Sequence, residues 1–123
     1  MNRNVVTGRV GEDAAARYLV SLGMTIVDRN WRCRYGEIDI VAQDADAFVI
    51  CEVKTRTSEA FGSPVDAVTP RKVRRLRHLA YRWLDEHEVH APRVRIDVVG
   101  ILRPLAGGIR VEHLRDVEAH GVR

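Results

Sequence analysis

The chain has 123 residues, 46% apolar and 30% charged, with 20 lysines and arginines against 17 acids and a pI near 9.2. That length suits one domain with a core of its own. Two cysteines, Cys33 and Cys51, are too few for a disulfide scaffold or a four-cysteine zinc site, and no stretch reads as a membrane span or a signal peptide.

The expectation is a single domain over residues 1–123, cytoplasmic and without a membrane partner, with reduced thiols. Its ordered core should run from about residue 8 to about 115, with loose termini. A homodimer is left open.

Residues 8 to 22 read as a helix that Gly23 ends. At about 100° per residue, Asp13, Arg17 and Ser21 fall on one side and Ala15, Tyr18, Leu19 and Leu22 on the other. Glu12 lies on the apolar side, about 20° from Leu19. An inward carboxylate needs a partner, which is either a salt bridge, the helix N-terminus, or a shared site with acids further along.

A strand is expected over Met24 to Asp28, then a polar and aromatic approach, Asn30 to Tyr35. Strands over 36–42 and 47–55 follow, joined by the short polar segment Gln43 to Asp46, the pattern of an antiparallel hairpin. Residues 57 to 68 look like a loop broken by Gly62, Ser63 and Pro64. Thr69-Pro70 has the chemistry of a helix start, with Thr as N-cap and Pro in the first turn. That helix should run to about His87, with Val73, Leu76, Ala80, Trp83 and Leu84 as its apolar stripe. Val94 to Leu102 and Ile109 to Leu114 read as strands, with Gly107-Gly108 as a turn before the second. The fold class is α/β, a mixed sheet flanked by helices.

Two strings concentrate the chemistry: Gly36-Glu37-Ile38-Asp39 and Glu52-Val53-Lys54. Alternation puts Glu37, Asp39 and Val41 on one face of the first strand and Phe48, Ile50, Glu52 and Lys54 on one face of the second. A hairpin can set Asp39 beside Glu52. Two carboxylates, a backbone carbonyl between Glu52 and Lys54, and an ammonium suit a hard divalent cation and work on a phosphate. Lys54 could orient or deprotonate the attacking water, or offset charge in the transition state. The competing reading is a surface acid and a same-face ion pair worth roughly 0–1 kcal/mol.

The expected helix from Thr69 to Leu84 carries Arg71, Lys72, Arg74, Arg75, Arg77 and Arg82 and no acid, while the rest of the chain holds more acids than bases. This asymmetry points to a polyanion such as DNA, against the alternative of a solvated face. Tyr35 could stack on bases, and Trp31 could too, though Trp31 fits the core. Asp97 fits a structural ion pair better than a catalytic role. The five histidines show no ligand spacing.

In order along the chain, Gly11-Glu12, Ala15, Tyr18-Leu19, Gly23, Asn30-Trp31-Arg32, Gly36 to Ile40, Glu52 to Arg56, Phe61-Gly62, Lys72 and Arg95 to Val99 resemble the YraN-like family of small uncharacterised bacterial proteins. A helix with an inward Glu, then an Asp, then Glu-x-Lys also looks like the wider PD-(D/E)XK nuclease superfamily. Here the Pro-Asp half of that motif is reduced to Ile38-Asp39. The resemblance implies a restriction endonuclease-like core with Asp39, Glu52 and Lys54 at its catalytic edge, and Mg²⁺ or Mn²⁺ held by Asp39, Glu52 and the Val53 carbonyl. It also implies Glu12 as a further ligand and hydrolysis of a phosphodiester; with the basic helix, the expected substrate is DNA, branched or single-stranded. Contacts to the nucleic acid would come from Arg71, Lys72, Arg74, Arg75 and Arg77. A nucleic-acid-binding protein of the same fold without turnover is the rival.

Overall fold

The computed structural model describes residues 3–58, 60, 62–104 and 106–118, and the side chains of all of these except 3–7 and 67. Phe61, His120 and the extreme termini lie outside the described residues. The elements are α1 (Arg3–Ser21), β1 (Thr25–Cys33), β2 (Gly36–Asp44), β3 (Ala47–Arg56), a 3₁₀ turn (Pro64–Ala67), α2 (Pro70–Glu86), β4 (Arg93–Leu102) and β5 (Arg110–Leu114).

α1 begins earlier than expected and stops where Gly23 predicts. Gly23, at φ 94°, donates its N–H to the Val20 carbonyl at 2.9 Å, and Met24 donates to Leu19 at 3.1 Å. These two bonds close the helix C-terminus in the αL manner that favours glycine. Ala14, Ala15, Ala16 and Leu19 are buried, whereas Leu22 is exposed and does not extend the apolar face. α2 opens as its sequence dictates: the Thr69 hydroxyl accepts the Lys72 N–H at 3.2 Å, with Pro70 in the first turn. Leu79 joins the stripe of Val73, Leu76, Ala80, Trp83 and Leu84.

The five strands form one sheet in the order β1-β2-β3-β4-β5. β1, β2 and β3 are an antiparallel meander, β3 and β4 are parallel, and β4 and β5 are antiparallel. The parallel pair requires a crossover, and α2 supplies it. α1 packs with Ile40, Ala42, Val49, Cys51, Val99 and Ile101, while α2 packs with Ile38, Val41, Phe48, Ile50 and Ile96. The two helices therefore cover opposite faces of a mixed sheet, an α/β fold. Among the described residues, no helix is long and apolar enough to cross a membrane.

Two segments differ from expectation. Asn30 to Cys33 of the polar-aromatic approach belong to one long β1, which pairs with β2 from Thr25↔Gln43 to Cys33↔Gly36, and Arg34-Tyr35 form the turn. Asn30 makes this continuity workable by adopting φ 55°, a conformation that asparagine tolerates better than most residues. The chain after Leu114, expected to be loose, folds back: Val117 is buried and donates its N–H to the Ile96 carbonyl at 2.7 Å.

That return is fixed by Asp97, which is fully buried on β4. Its carboxylate takes Arg95 Nε at 2.9 Å and Nη2 at 3.1 Å, His113 Nε2 at 2.7 Å and the Asp116 N–H at 3.0 Å. The Tyr18 hydroxyl meets the other nitrogen of His113 at 3.0 Å, which ties α1 to β5. Burial alone would raise the Asp97 pKa, but His113, Arg95 and the Asp116 N–H together hold it below the usual carboxylate value. Removing one partner from a buried pair strands the other. Asp97→Ala should therefore cost about 3–5 kcal/mol, measured as the shift in urea unfolding at pH 7. A loss within about 0.5 kcal/mol, as for a plain surface substitution, would show that the network does not hold the fold.

Candidate functional site

β2 and β3 pair from Asp44↔Ala47 as far as Ile40↔Cys51. One residue further on, the Asp39 carboxylate accepts the Val53 backbone N–H at 2.8 Å. A side chain has taken the place of a strand partner. The reason lies in the path of β2. Residues two apart on a regular strand share a face, yet Ile38 belongs to the α2-side core and Ile40 to the α1-side core. β2 turns over between them. β1 does the same across Asn30, where Arg29 reaches the acids of α1 and Trp31 packs against the α2-side cluster. Asp39 thus aims sideways into the gap beside β3. The expected common face of Glu37, Asp39 and Val41 does not form: Val41 packs on the α2 side and Glu37 pairs with Arg32.

Glu52 is buried on the α2 side of β3. Two ammonium groups reach it, Lys72 Nζ at 3.3 Å and Lys54 Nζ at 3.7 Å. Lys54 is where strand alternation places it. Lys72, grouped by sequence with the phosphate-contacting cations, also reaches the carboxylate site. The signal was there: at about 100° per residue, Lys72 lies about 20° from Leu79 and Trp83, within the apolar stripe.

Asp39 and Glu52 face each other in this half-closed space. The Asp39 pKa is pushed up from 3.8 to about 8, first by burial and then by the negative charge of Glu52. A proton shared with Glu52 and the charge of Glu12 add to the rise, and the Val53 N–H opposes it. Like charges in contact cannot both ionise cheaply, so the pair holds a proton at neutral pH.

Glu12 points inward, as its helical position predicts, but its direct partner is Arg29 Nη2 at 3.2 Å, which also binds Asp13 at 2.6 Å. Gly11 sets this proximity. A Cβ there would lie 2.0 Å from the Thr55 hydroxyl oxygen, so the bare backbone lets α1 rest on β3 just past Lys54. Among the described residues, no three His, Cys, Asp or Glu side chains converge as a ready metal cage. The oxygen donors at hand are the Asp39 and Glu52 carboxylates and neighbouring backbone. Magnesium suits such a sparse set because it keeps several waters.

The other cations divide. Arg71, Arg74 and Arg75 are exposed and Arg77 is half-buried. Arg77 lies about 160° around the helix from Arg75, so no single face presents all of them. Cys51 is fully buried, and burial followed by the charges of Asp97, Asp39 and Glu52 pushes its thiol pKa well up, which makes it inert.

The model of the uncharacterised protein family UPF0102 matches residues 11–101, the span from α1 to β4 that builds this site. The chain belongs to that family, the YraN-like family. It is 57% identical over 110 residues to a UPF0102 protein of Beutenbergia cavernae, covering 89% of this chain and 93% of the relative. It is 56% identical over 118 residues to one of Streptomyces griseus, covering 95% and 99%. A third, from Frankia casuarinae, is 54% identical over 108 residues, covering 88% and 92%.

The shared proton predicts a pH dependence with a definite sign. The folded pKa of Asp39 is above the unfolded value, so this group's contribution to stability is full below pH 3.8 and is lost as pH rises through about 8. Across that window the slope approaches about 1.4 kcal/mol per pH unit. Without divalent cations, the unfolding midpoint should fall between pH 5 and pH 8 in the wild type and much less in Asp39→Asn. Parallel curves for the two proteins would mean that Asp39 titrates normally.

Proposed function

We propose that this protein is a Mg²⁺- or Mn²⁺-dependent endonuclease of the PD-(D/E)XK type that hydrolyses phosphodiesters in DNA. The observation that supports it is the half-buried Asp39 against the buried Glu52, with Lys54 and Lys72 on Glu52. Both lysines approach Glu52, whereas the Asp39 carboxylate meets the Val53 N–H and Glu52 instead. Two carboxylates that repel each other at this distance are chemically suited to a divalent ion between them.

In this reading, Asp39, Glu52 and the Val53 carbonyl would hold the metal. Within a strand, the N–H and C=O of one residue point to the same side, so the Val53 carbonyl shares the gap that its N–H enters. The metal would supply a Lewis acid at the phosphate. Glu12 stays with Arg29, where its charge tunes Asp39. Lys54 acts on the attacking water or on charge developing at the phosphate. Lys72 balances Glu52 from the opposite side and approaches the same phosphate from α2. Arg71, Arg74 and Arg75 contribute affinity through backbone phosphates without reading sequence. The free Cys33 and Cys51 suit work in the reducing cytoplasm.

A second reading has one observation in its favour. Both lysines already satisfy Glu52 without a metal, as a nucleic-acid-binding protein without turnover would require.

Calorimetry with Mn²⁺ separates the two. Wild type should bind and Asp39→Ala should not, with the fold retained; equal affinities would remove the site. In single-turnover cleavage of duplex, single-stranded, flap and four-way DNAs, Lys54→Ala should keep binding but lose on the order of 10²-fold or more in rate. If wild type cleaves none of them with either metal, the binding-protein reading prevails.

A further inference from the structure

The turn between β1 and β2 and the outer flank of α2 enclose a cleft of about 390 Å³ lined by Tyr35, Arg75, His78, Leu79 and Arg82. Tyr35 is half exposed, and the Arg82 guanidinium lies 3.8 Å above its ring centroid, with that of Arg34 at 5.2 Å. The ring and the Arg82 guanidinium form a cation–π pair at the mouth of the cleft. Gly36 keeps the cleft open. Its φ is 147°, and a Cβ there would sit 3.2 Å from Leu79 Cδ1 and 3.9 Å from Arg75 Cδ. A side chain at that position would thus enter the space between turn and helix.

The cleft and the carboxylate site draw on adjacent positions of α2. Arg75 lies three residues after Lys72, so the two are neighbours on one flank of α2, and Lys72 touches Glu52. Cations therefore run from Glu52 along the helix to an aromatic platform. This is the composition of a single-strand site: cations that follow the backbone and a ring on which a base can stack. A duplex keeps its base faces covered, so it cannot use the ring.

We infer that the Tyr35 cleft binds an unpaired nucleotide of DNA, the base stacking against the Tyr35–Arg82 pair and the phosphates running past Arg75 and His78 toward Lys72. The inference rests on the nuclease reading for the direction of the strand, and on the cleft alone for the binding.

The test is fluorescence anisotropy in EDTA, where no cleavage occurs, with labelled oligo-dT and a blunt duplex of equal length. Tyr35→Ala should weaken oligo-dT binding roughly tenfold and Tyr35→Phe should restore it, since loss of one stacked base is typically worth such a factor. Duplex affinity should change less than about twofold, because phosphate contacts dominate there. Arg82→Gln should also weaken oligo-dT selectively, which provides a second variant should Tyr35→Ala unfold; thermal melting checks each. Unchanged oligo-dT binding in Tyr35→Ala, or equal losses for single strand and duplex, overturns the inference. If the selective loss is seen but the wild type neither binds Mn²⁺ nor cleaves, the cleft stands and the nuclease reading falls.

Discussion

One hydrogen bond, from the Val53 backbone N–H to the Asp39 carboxylate, marks where the sheet gives way to a site. A strand at the centre of a sheet must satisfy each backbone polar group. β3 has β4 along its whole length, but β2 leaves it after Ile40↔Cys51. The departure would orphan the Val53 N–H. Asp39 satisfies it and so is held in the gap, an unusual place for a carboxylate. Everything else at the site follows from that position: the contact with Glu52, the shared proton, and the need for cations close by.

Those cations arrive from two directions for different reasons. Lys54 comes by strand alternation and stays on the face of Glu52. Lys72 comes because the Thr69 cap and Pro70 fix where α2 begins, which sets the rotation of its first turn. Burying an acid with two bases is costly in desolvation and is a weak source of stability. The core is supplied elsewhere, by two apolar clusters on opposite faces of the sheet. The fold can therefore carry a strained group of charges without depending on it.

Much of this was legible in the residues. The α2 cap, its stripe, the hairpin and the face shared by Glu52 and Lys54 follow from local chemistry and period. Other features did not. The turnover of β2 at Asp39 breaks the alternation on which a strand reading depends, and its matching bend at Asn30 gives no more signal than any asparagine in a polar segment. The contact of Lys72 with Glu52 was missed because a run of cations hides one whose angle lies on the buried side. The return of residues 115–118 depends on Asp97, a contact 19 residues back that no local pattern encodes. Glu12 was read as inward, but its partner Arg29 lies on another element and shows only in three dimensions.

The parallel pairing of β3 with β4 bears on when the chain acquires its chemistry. The meander β1–β3 closes through short loops, whereas β4 must wait for the whole crossover, and such non-local pairing is slow to form. Until β4 and α2 dock, Glu52 is solvated and Lys72 is elsewhere. In a nascent or partly folded chain, Asp39 and Glu52 are thus two ordinary ionised carboxylates on a hairpin. The raised proton affinity of Asp39 emerges only with completed tertiary structure, so its titration serves as a built-in reporter of the finished fold.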